Sequence, residues 1–332
     1  MSIISNNPQL RFIKQDWFGN PTNVDENEYV NLDSKSERTF WDVLKWKFQK
    51  NTFKPLKKNQ KPGIEIISDE AFLQKNIDGI TWLGHTSFLL DLSGHRILTD
   101  PVLESTFFNK KHTPLPCSAD KLQNIDYILL SHFHPDHADE DSVLLLCEQN
   151  PNAQILCGLQ ASELLRNWGV QNNIIEAGWF QNFGVSENFE IHFLPAKHWS
   201  RMGLSDQNTK LWGSFMFYDK ILDKKIFFGG DSGYGVHFKM IGELYGHIDY
   251  ALIGIGAYEP IWFMHHSHAG PNDTLQIKED LNAEFIIPMH YGTFDLSNEP
   301  IFYPPQKLKE LLKDHPEKDK FLFRNIGGKL KV

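Results

Sequence analysis

The chain has 332 residues, of which 41% are hydrophobic and 23% charged, with 23 glycines and 17 prolines. That composition excludes collagen-like, low-complexity and wholly disordered chains and leaves enough apolar mass for a full core. A net charge of -9 excludes a nucleic-acid binder held by general electrostatics, which needs a basic face, so no nucleic-acid partner is expected.

The N-terminus shows no apolar leader segment or small-residue cleavage pattern. The longest apolar run falls far short of the ~18 to 20 residues that span a bilayer, so a cytoplasmic protein is expected. Cys117, Cys147 and Cys157 form no C-x-x-C pair and read as buried thiols.

Residues 1–78 are polar, lysine-rich and weakly patterned, and read as an N-terminal extension. Within it Phe40, Leu44 and Phe48 share one helical face with Trp41 beside them, which predicts one amphipathic helix. Between Val43 and Gly63 lie seven lysines and no Asp, Glu or Arg, so this stretch carries +7 and the remainder -16. An apolar stripe among lysines suits peripheral contact of residues 40–61 with anionic lipid, while the plainer reading is a solvated arm packed on the domain.

From residue 79 to 332 a second unit begins, without repeat or linker. The strands ITWLG, SFLLDL, HRILTD and DYILLS come first, then helices near 140–149 and 160–168 on either side of QILCG. The strands FEIHFLPA, GSFMFYD and KIFFGGDS follow, then a helix near 235–245, YALIGI, a helix near 271–281, and FIIPMH. Two blocks of strands followed by helices predict an α/β chain of the α+β type, with two sheets face to face and helices outside, a four-layer αββα sandwich.

The segment Ser131-His132-Phe133-His134-Pro135-Asp136-His137 sets three histidines and one aspartate at the end of an apolar strand. Imidazole and carboxylate suit zinc, with iron or manganese also allowed, and four such ligands crowd a single tetrahedral ion, so two metals per chain are implied. Three more ligands stand where other strands stop: His198, Asp231 and His290. A sensible division gives His132, His134 and His198 to one ion and Asp136, His137 and His290 to the other, with Asp231 bridging. Each ion then keeps an open position, the catalytic arrangement.

Taken singly, His198, Asp231 and His290 read more simply as satisfied polar residues at loop starts; the motif's demand for ligands joins them. His112, His192, His237, His247 and His265 read as surface or core residues, and His95 as a strand residue. His85 and Asp100, at the ends of early strands, suit hydrogen bonds to the metal-binding histidines. Trp199, Tyr258, Trp262, Phe263 and Met264 flank the ligands and read either as core or as the wall of an acyl-chain groove.

Several motifs, TWLGHTSFLL, LTDPV, LLSHFHPDHAD, KHWSR, LWGSF, FFGGDSGYG, IGAYEPIWFM and MHYGTFDLSNE, run from Trp82 to about Leu308, roughly two thirds of the chain. In them the sequence resembles the N-acylphosphatidylethanolamine-hydrolysing phospholipase D family of the metallo-β-lactamase superfamily. The resemblance implies the αββα sandwich, a two-zinc centre, and hydrolysis of a phospholipid diester to N-acylethanolamine and phosphatidic acid, with a homodimer allowed. It places the zinc ligands on His132, His134, Asp136, His137, His198, Asp231 and His290 and a phosphate contact on His268, so Asp136, Asp231 and His268 are the expected catalytic set. Ser267 stands where the family has glutamine, and GDS replaces its GDT. Another phosphodiester, or a lactone, ester or amide, is the alternative substrate; a metal-holding lipid-binding protein is the non-enzymatic one.

Overall fold

The computed structural model describes residues 3–33, 39–61, 63–75, 77–106, 109–203 and 205–332; the side chain of Phe40 lies outside them. In chain order come β1 (Thr22–Asn23), β2 (Glu28–Tyr29), α1 (Phe40–Phe48) and α2 (Lys54–Asn59). Next are β3 (Gly79–Gly84), β4 (Ser87–Leu92), β5 (His95–Thr99), β6 (Tyr127–Leu130), α3 (Glu140–Gln149), β7 (Gln154–Gly158), α4 (Ser162–Trp168) and β8 (Ile174–Ala177). The second half holds β9 (Gln181–Asn182), β10 (Phe189–Leu194), β11 (Ser214–Asp219), β12 (Lys224–Phe228), α5 (Val236–Tyr245) and β13 (Ile248–Gly254). It ends with α6 (Ile261–Met264), α7 (Thr274–Asp280), β14 (Ala283–Met289), α8 (Tyr303–Leu311) and β15 (Lys329–Lys331).

One sheet has the order β15-β3-β4-β5-β6-β7-β8 and the other β14-β13-β12-β11-β10-β9. Each begins as an antiparallel meander and turns parallel at β5 to β8 in the first and β12 to β14 in the second, with helices α3 to α7 in the crossovers after β6 and β12. Side chains of the first sheet sort by strand period. Phe88, Leu90 and Leu92 of β4 and Leu129 of β6 join Phe193, Phe215, Phe217 and Phe228 between the sheets. Their neighbours Leu89, Ile128 and Leu130 face outward and pack with Val143, Leu146 and Leu165 of α3 and α4. The result is the predicted αββα sandwich.

The segment before β3 is fastened to this body. Ile13 N–H donates to the Phe180 carbonyl and Asn182 N–H to that of Arg11, which covers the exposed edge at β9. Tyr29 is fully buried in the inter-sheet core. Helix α1 starts at a capping box, in which the Thr39 side chain accepts from Asp42 N–H and Asp42 accepts from Thr39 N–H. Its Trp46 stacks on Phe263 at 4.9 Å and donates to Asn298 Oδ1, while Asn51 donates to the Asn298 carbonyl. Trp41 and Phe48 point outward, 74% and 85% exposed.

Candidate metal centre

The strand ends that carry the predicted ligands meet at one edge of the sandwich, as expected where loops leave the carboxyl ends of parallel strands. The loop after β6 brings His132, His134, Asp136 and His137 from the first sheet. His198, Asp231 and His290 arrive from the second, after β10, β12 and β14. Two turns need special backbone. Gly230, before Asp231, has φ +56°, and a Cβ there would sit 2.9 Å from that of Ser131. Gly256 lies so close to the His290 carbonyl that a Cβ would overlap it.

The donors form two groups. His132, His134 and His198 offer ligand atoms within 4.8 Å of one another, and so do His85, Asp136, His137 and His290. Asp231 stands between them. Its carboxylate lies 3.1 Å from His137 Nε2 and 3.1 Å from His290 Nε2 on one side, and 3.8 Å from His198 Nε2 on the other. A third approach comes from His268, whose Nδ1 is 3.6 Å from Asp231.

Ring orientation is set by the groups behind. Asp100 accepts from Ser131 N–H at 2.7 Å, from the Ser131 hydroxyl at 2.6 Å and from His137 Nδ1 at 2.8 Å. The Ser131 oxygen in turn faces His132 Nδ1 at 2.9 Å. One carboxylate thereby fixes the Nδ1–H tautomer of two rings and leaves both Nε2 lone pairs aimed inward. His198 Nδ1 donates to the Ser267 carbonyl at 2.8 Å, to the same end. His85 meets a carboxylate, not a histidine: its Nε2 is 3.1 Å from Asp136 Oδ2, and its ring lies 4.1 Å from that of His290.

These residues fit a metal. His132 Nε2 and His134 Nε2 are buried and have no hydrogen-bond partner, while His137 Nε2 and His290 Nε2, also buried, face only carboxylates, chiefly that of Asp231. Each would cost about 1 to 3 kcal/mol if left so, and their shared direction is what a cation requires. Burial pushes His134 down to about 4 and His132 and His198 well below the usual range, so these rings are neutral and ligand-ready. His137 is also buried, but Asp231, Asp136 and Asp100 outweigh that and push its pKa well up. The donor set is nitrogen and oxygen alone, which suits a divalent ion of the zinc, iron or manganese kind.

Above the donors opens a cavity of about 530 Å³. His134, Asp136, Asp231 and His268 line its floor, and Val43, Trp46, Trp199, Phe263, Met264 and Leu296 supply apolar wall. Tyr258 and Trp262 are not part of this lining. Tyr258 is buried, its N–H donating to Glu299, and Trp262 donates to Gln49 under the Lys45 ammonium, 4.4 Å away. Thr39, Val43 and Trp46 of the N-terminal segment, with Arg201, Gln207 and Leu296, are cavity residues that pattern reading missed. The lysine run drew attention to α1 as a lipid-facing stripe, whereas Val43 and Trp46 on another face reach the site.

The comparisons agree with this geometry. A family model described as the beta-lactamase superfamily domain matches residues 95–291, more than half of the chain. The N-acyl-phosphatidylethanolamine-hydrolyzing phospholipase D 1 of Caenorhabditis elegans is 34% identical over 266 residues, 76% of this chain and 74% of that protein. The mitochondrial N-acyl-phosphatidylethanolamine-hydrolyzing phospholipase D of Saccharomyces cerevisiae is 33% identical over 257 residues, 74% of this chain and 54% of that protein, so the chain spans about half of the yeast relative. Among solved structures Igni18, a metallo hydrolase from Ignicoccus hospitalis, superposes with a TM-score of 0.57 at 22% identity, over 76% of this chain and 97% of that one, which speaks to the fold alone. The chain belongs to the metallo-beta-lactamase superfamily of hydrolases.

Proposed function

We propose that the protein is a two-zinc phosphodiesterase that hydrolyses N-acylphosphatidylethanolamine-type phospholipids to N-acylethanolamine and phosphatidic acid. The observation that carries the reading is the cavity, an apolar-walled space of about 530 Å³ floored by convergent nitrogen and oxygen donors. The worm and yeast relatives supply the substrate class. His132, His134 and His198 would hold one ion and Asp136, His137 and His290 the other, with the Asp231 carboxylate available to both. Two such ions supply Lewis acidity and activate water at neutral pH.

The chain's own residues do the rest. Asp100 and Ser131 hold the His132 and His137 rings in one tautomer, and His85 steadies the Asp136 carboxylate. His268, 16% exposed to the cavity, donates to a non-bridging phosphate oxygen, where positioning and electrostatics dominate phosphoryl chemistry. Trp46, Trp199, Phe263 and Met264 take the acyl chain and exclude water. No helix among the described residues is long and apolar enough to cross a membrane. Trp41, Phe48, Leu56 and Ile261, all exposed, lie on or near the lysine-rich stretch and form the contact with anionic lipid.

The test is incubation of zinc-loaded protein with N-acylphosphatidylethanolamine in mixed micelles, with Asp231→Asn as blank and mass-spectrometric detection. Release of N-acylethanolamine and phosphatidic acid by the wild type alone is the expected result. No product from a preparation holding two metals per chain would reject the substrate class and leave another diester or a carbonyl substrate.

A further inference from the structure

Three of the seven donors, His132, Asp231 and His290, sit within three residues of a strand end. His198 stands four residues past one, in the irregular stretch between Leu194, where β10 stops, and Ser214, where β11 starts. Neither helix nor sheet ladder fixes its backbone. A single side chain from the N-terminal segment does so. Asn31 accepts from His198 N–H through Oδ1 at 3.1 Å and donates through Nδ2 to the His198 carbonyl at 2.9 Å. The same Oδ1 accepts from Trp212 Nε1 at 3.2 Å, and that indole also donates to the Ala196 carbonyl at 3.0 Å, which holds the amide in register with the loop. Two residues on, Asp33 pairs with Lys197 Nζ at 3.3 Å.

We infer that Asn31 is a positioning residue for the first metal site, acting on His198 through both polar groups of its backbone. The inference rests on the assignment of His198 as a ligand. The physical reasoning is an accounting of partners. His198 is 1% exposed, so without Asn31 its N–H and C=O would both lose their partner and the loop would turn to recover them. The ring would follow, because it is anchored to the backbone at one end and to the Ser267 carbonyl at the other. The second donor group does not share this dependence. His290 N–H donates to the His85 carbonyl, and Asp136 and His137 ride on the loop after β6. Residue 31 also lies outside the matched family domain, which begins at residue 95, so the segment read as an extension completes the centre of the domain that follows it.

The experiment titrates apo full-length protein with Zn²⁺ against a competing chelator and resolves the two equivalents. Outer-shell partners of metal ligands are worth about 10- to 100-fold in affinity. The expected result for Asn31→Ala is one equivalent weakened by that factor and the other unchanged. Asn51→Ala is the control, since it also removes a long-range side-chain bond of the N-terminal segment but touches no donor; both of its equivalents should match the wild type. If Asn31→Ala does not fold, Asn31→Asp carries the test, keeping the acceptor for His198 N–H and losing the donor to its carbonyl, with the same one-site loss expected. Equal weakening of both equivalents, or none, in the folded variant overturns the inference. A wild type that takes up fewer than two zinc ions overturns the metal assignment instead, so the two failures are separable.

Discussion

Asp100→Asn should weaken both metal sites at once, in contrast to the one-site effect at Asn31. The carboxylate is fully buried, and its hydrogen bonds reach a ring in each donor group: His137 directly, and His132 through the Ser131 hydroxyl. Ser131 N–H takes Oδ1, while the Ser131 hydroxyl and His137 Nδ1 share Oδ2, so an amide that keeps its oxygen on Ser131 N–H turns NH₂ toward both: His137 loses its acceptor, and the Ser131 hydroxyl loses the one that leaves its lone pair for His132. Partners of this kind are worth about 10- to 100-fold in metal affinity, or about 1.4 to 2.7 kcal/mol per site. The apo protein should respond in the opposite sense or not at all. Burial raises the Asp100 pKa from its ordinary value, despite its bonds to His137 and Ser131, so losing the charge should not cost the apo fold. The assay is thermal unfolding with and without saturating zinc, paired with a chelator competition. A variant that loses stability in the apo form while both zinc affinities hold would refute the reasoning, because Asp100 would then be a core hydrogen-bond acceptor and nothing more.

Trp46→Ala removes the stack on Phe263 and the bond to Asn298, loosening α1 from the cavity wall; the half-buried ring should cost about 1 to 3 kcal/mol of stability, below the fully buried range. KM for a long-chain lipid should rise severalfold with zinc content unchanged, and an unaltered KM would separate α1 from the acyl groove. Trp41→Ser with Phe48→Ser should reduce co-sedimentation with anionic vesicles without altering turnover of a short soluble diester; unchanged sedimentation would remove α1 from the docking surface. Far from the metals, Glu190 bonds His192, Lys220 and Arg11 and is held down to about 2 from 4.5, chiefly by His192. A depressed carboxylate stabilises the fold above about 4.5 and loses that contribution as pH falls toward 2; with the Lys220 and Arg11 partners solvent-screened, about 1 kcal/mol is at stake. Glu190→Gln should therefore flatten the acid limb of a stability-versus-pH curve between those values, and an unchanged limb would assign acid unfolding to other groups.

The layered fold was legible because its strands are short, apolar and punctuated, and because each block changes from hairpin spacing to strand-helix alternation. The elements that escaped did so for local reasons. Helix α8 opens with Tyr303-Pro304-Pro305, which reads as a loop, yet proline in the first turn sacrifices no intrahelical bond. Strand β15, only Lys329–Lys331, is defined by its antiparallel partner β3 some 250 residues earlier, a contact with no local signature. At the site, the converging donor side chains stood out in the sequence by type and by their place after strands. Of those that position them, Asp100 and His85 stood out at strand ends, whereas Asn31 and Ser131 are ordinary polar residues until the fold sets them against a backbone carbonyl or an imidazole.

The split of donors between the two sheets has an energetic consequence. In the proposed assignment each ion joins the halves of the sandwich: the first takes His132 and His134 from one sheet and His198 from the other, and the second takes Asp136 and His137 from one and His290 from the other. The inter-sheet core of Phe88, Phe193, Phe215 and Phe228 already holds these layers together, so the metals are not needed to form the sandwich. What they would offset is the cost at its edge, where buried imidazole nitrogens are left short of hydrogen-bond partners. Metal binding to the folded chain, on that assignment, would add to stability by mass action and draw together loops from both sheets. The N-terminal segment takes part from outside either half, through Asn31 on the His198 backbone and Trp46 on the cavity wall. Its loss would take Tyr29 from the inter-sheet core and the cover from the β9 edge, and at the site it would strike His198 first, the one donor whose backbone it holds.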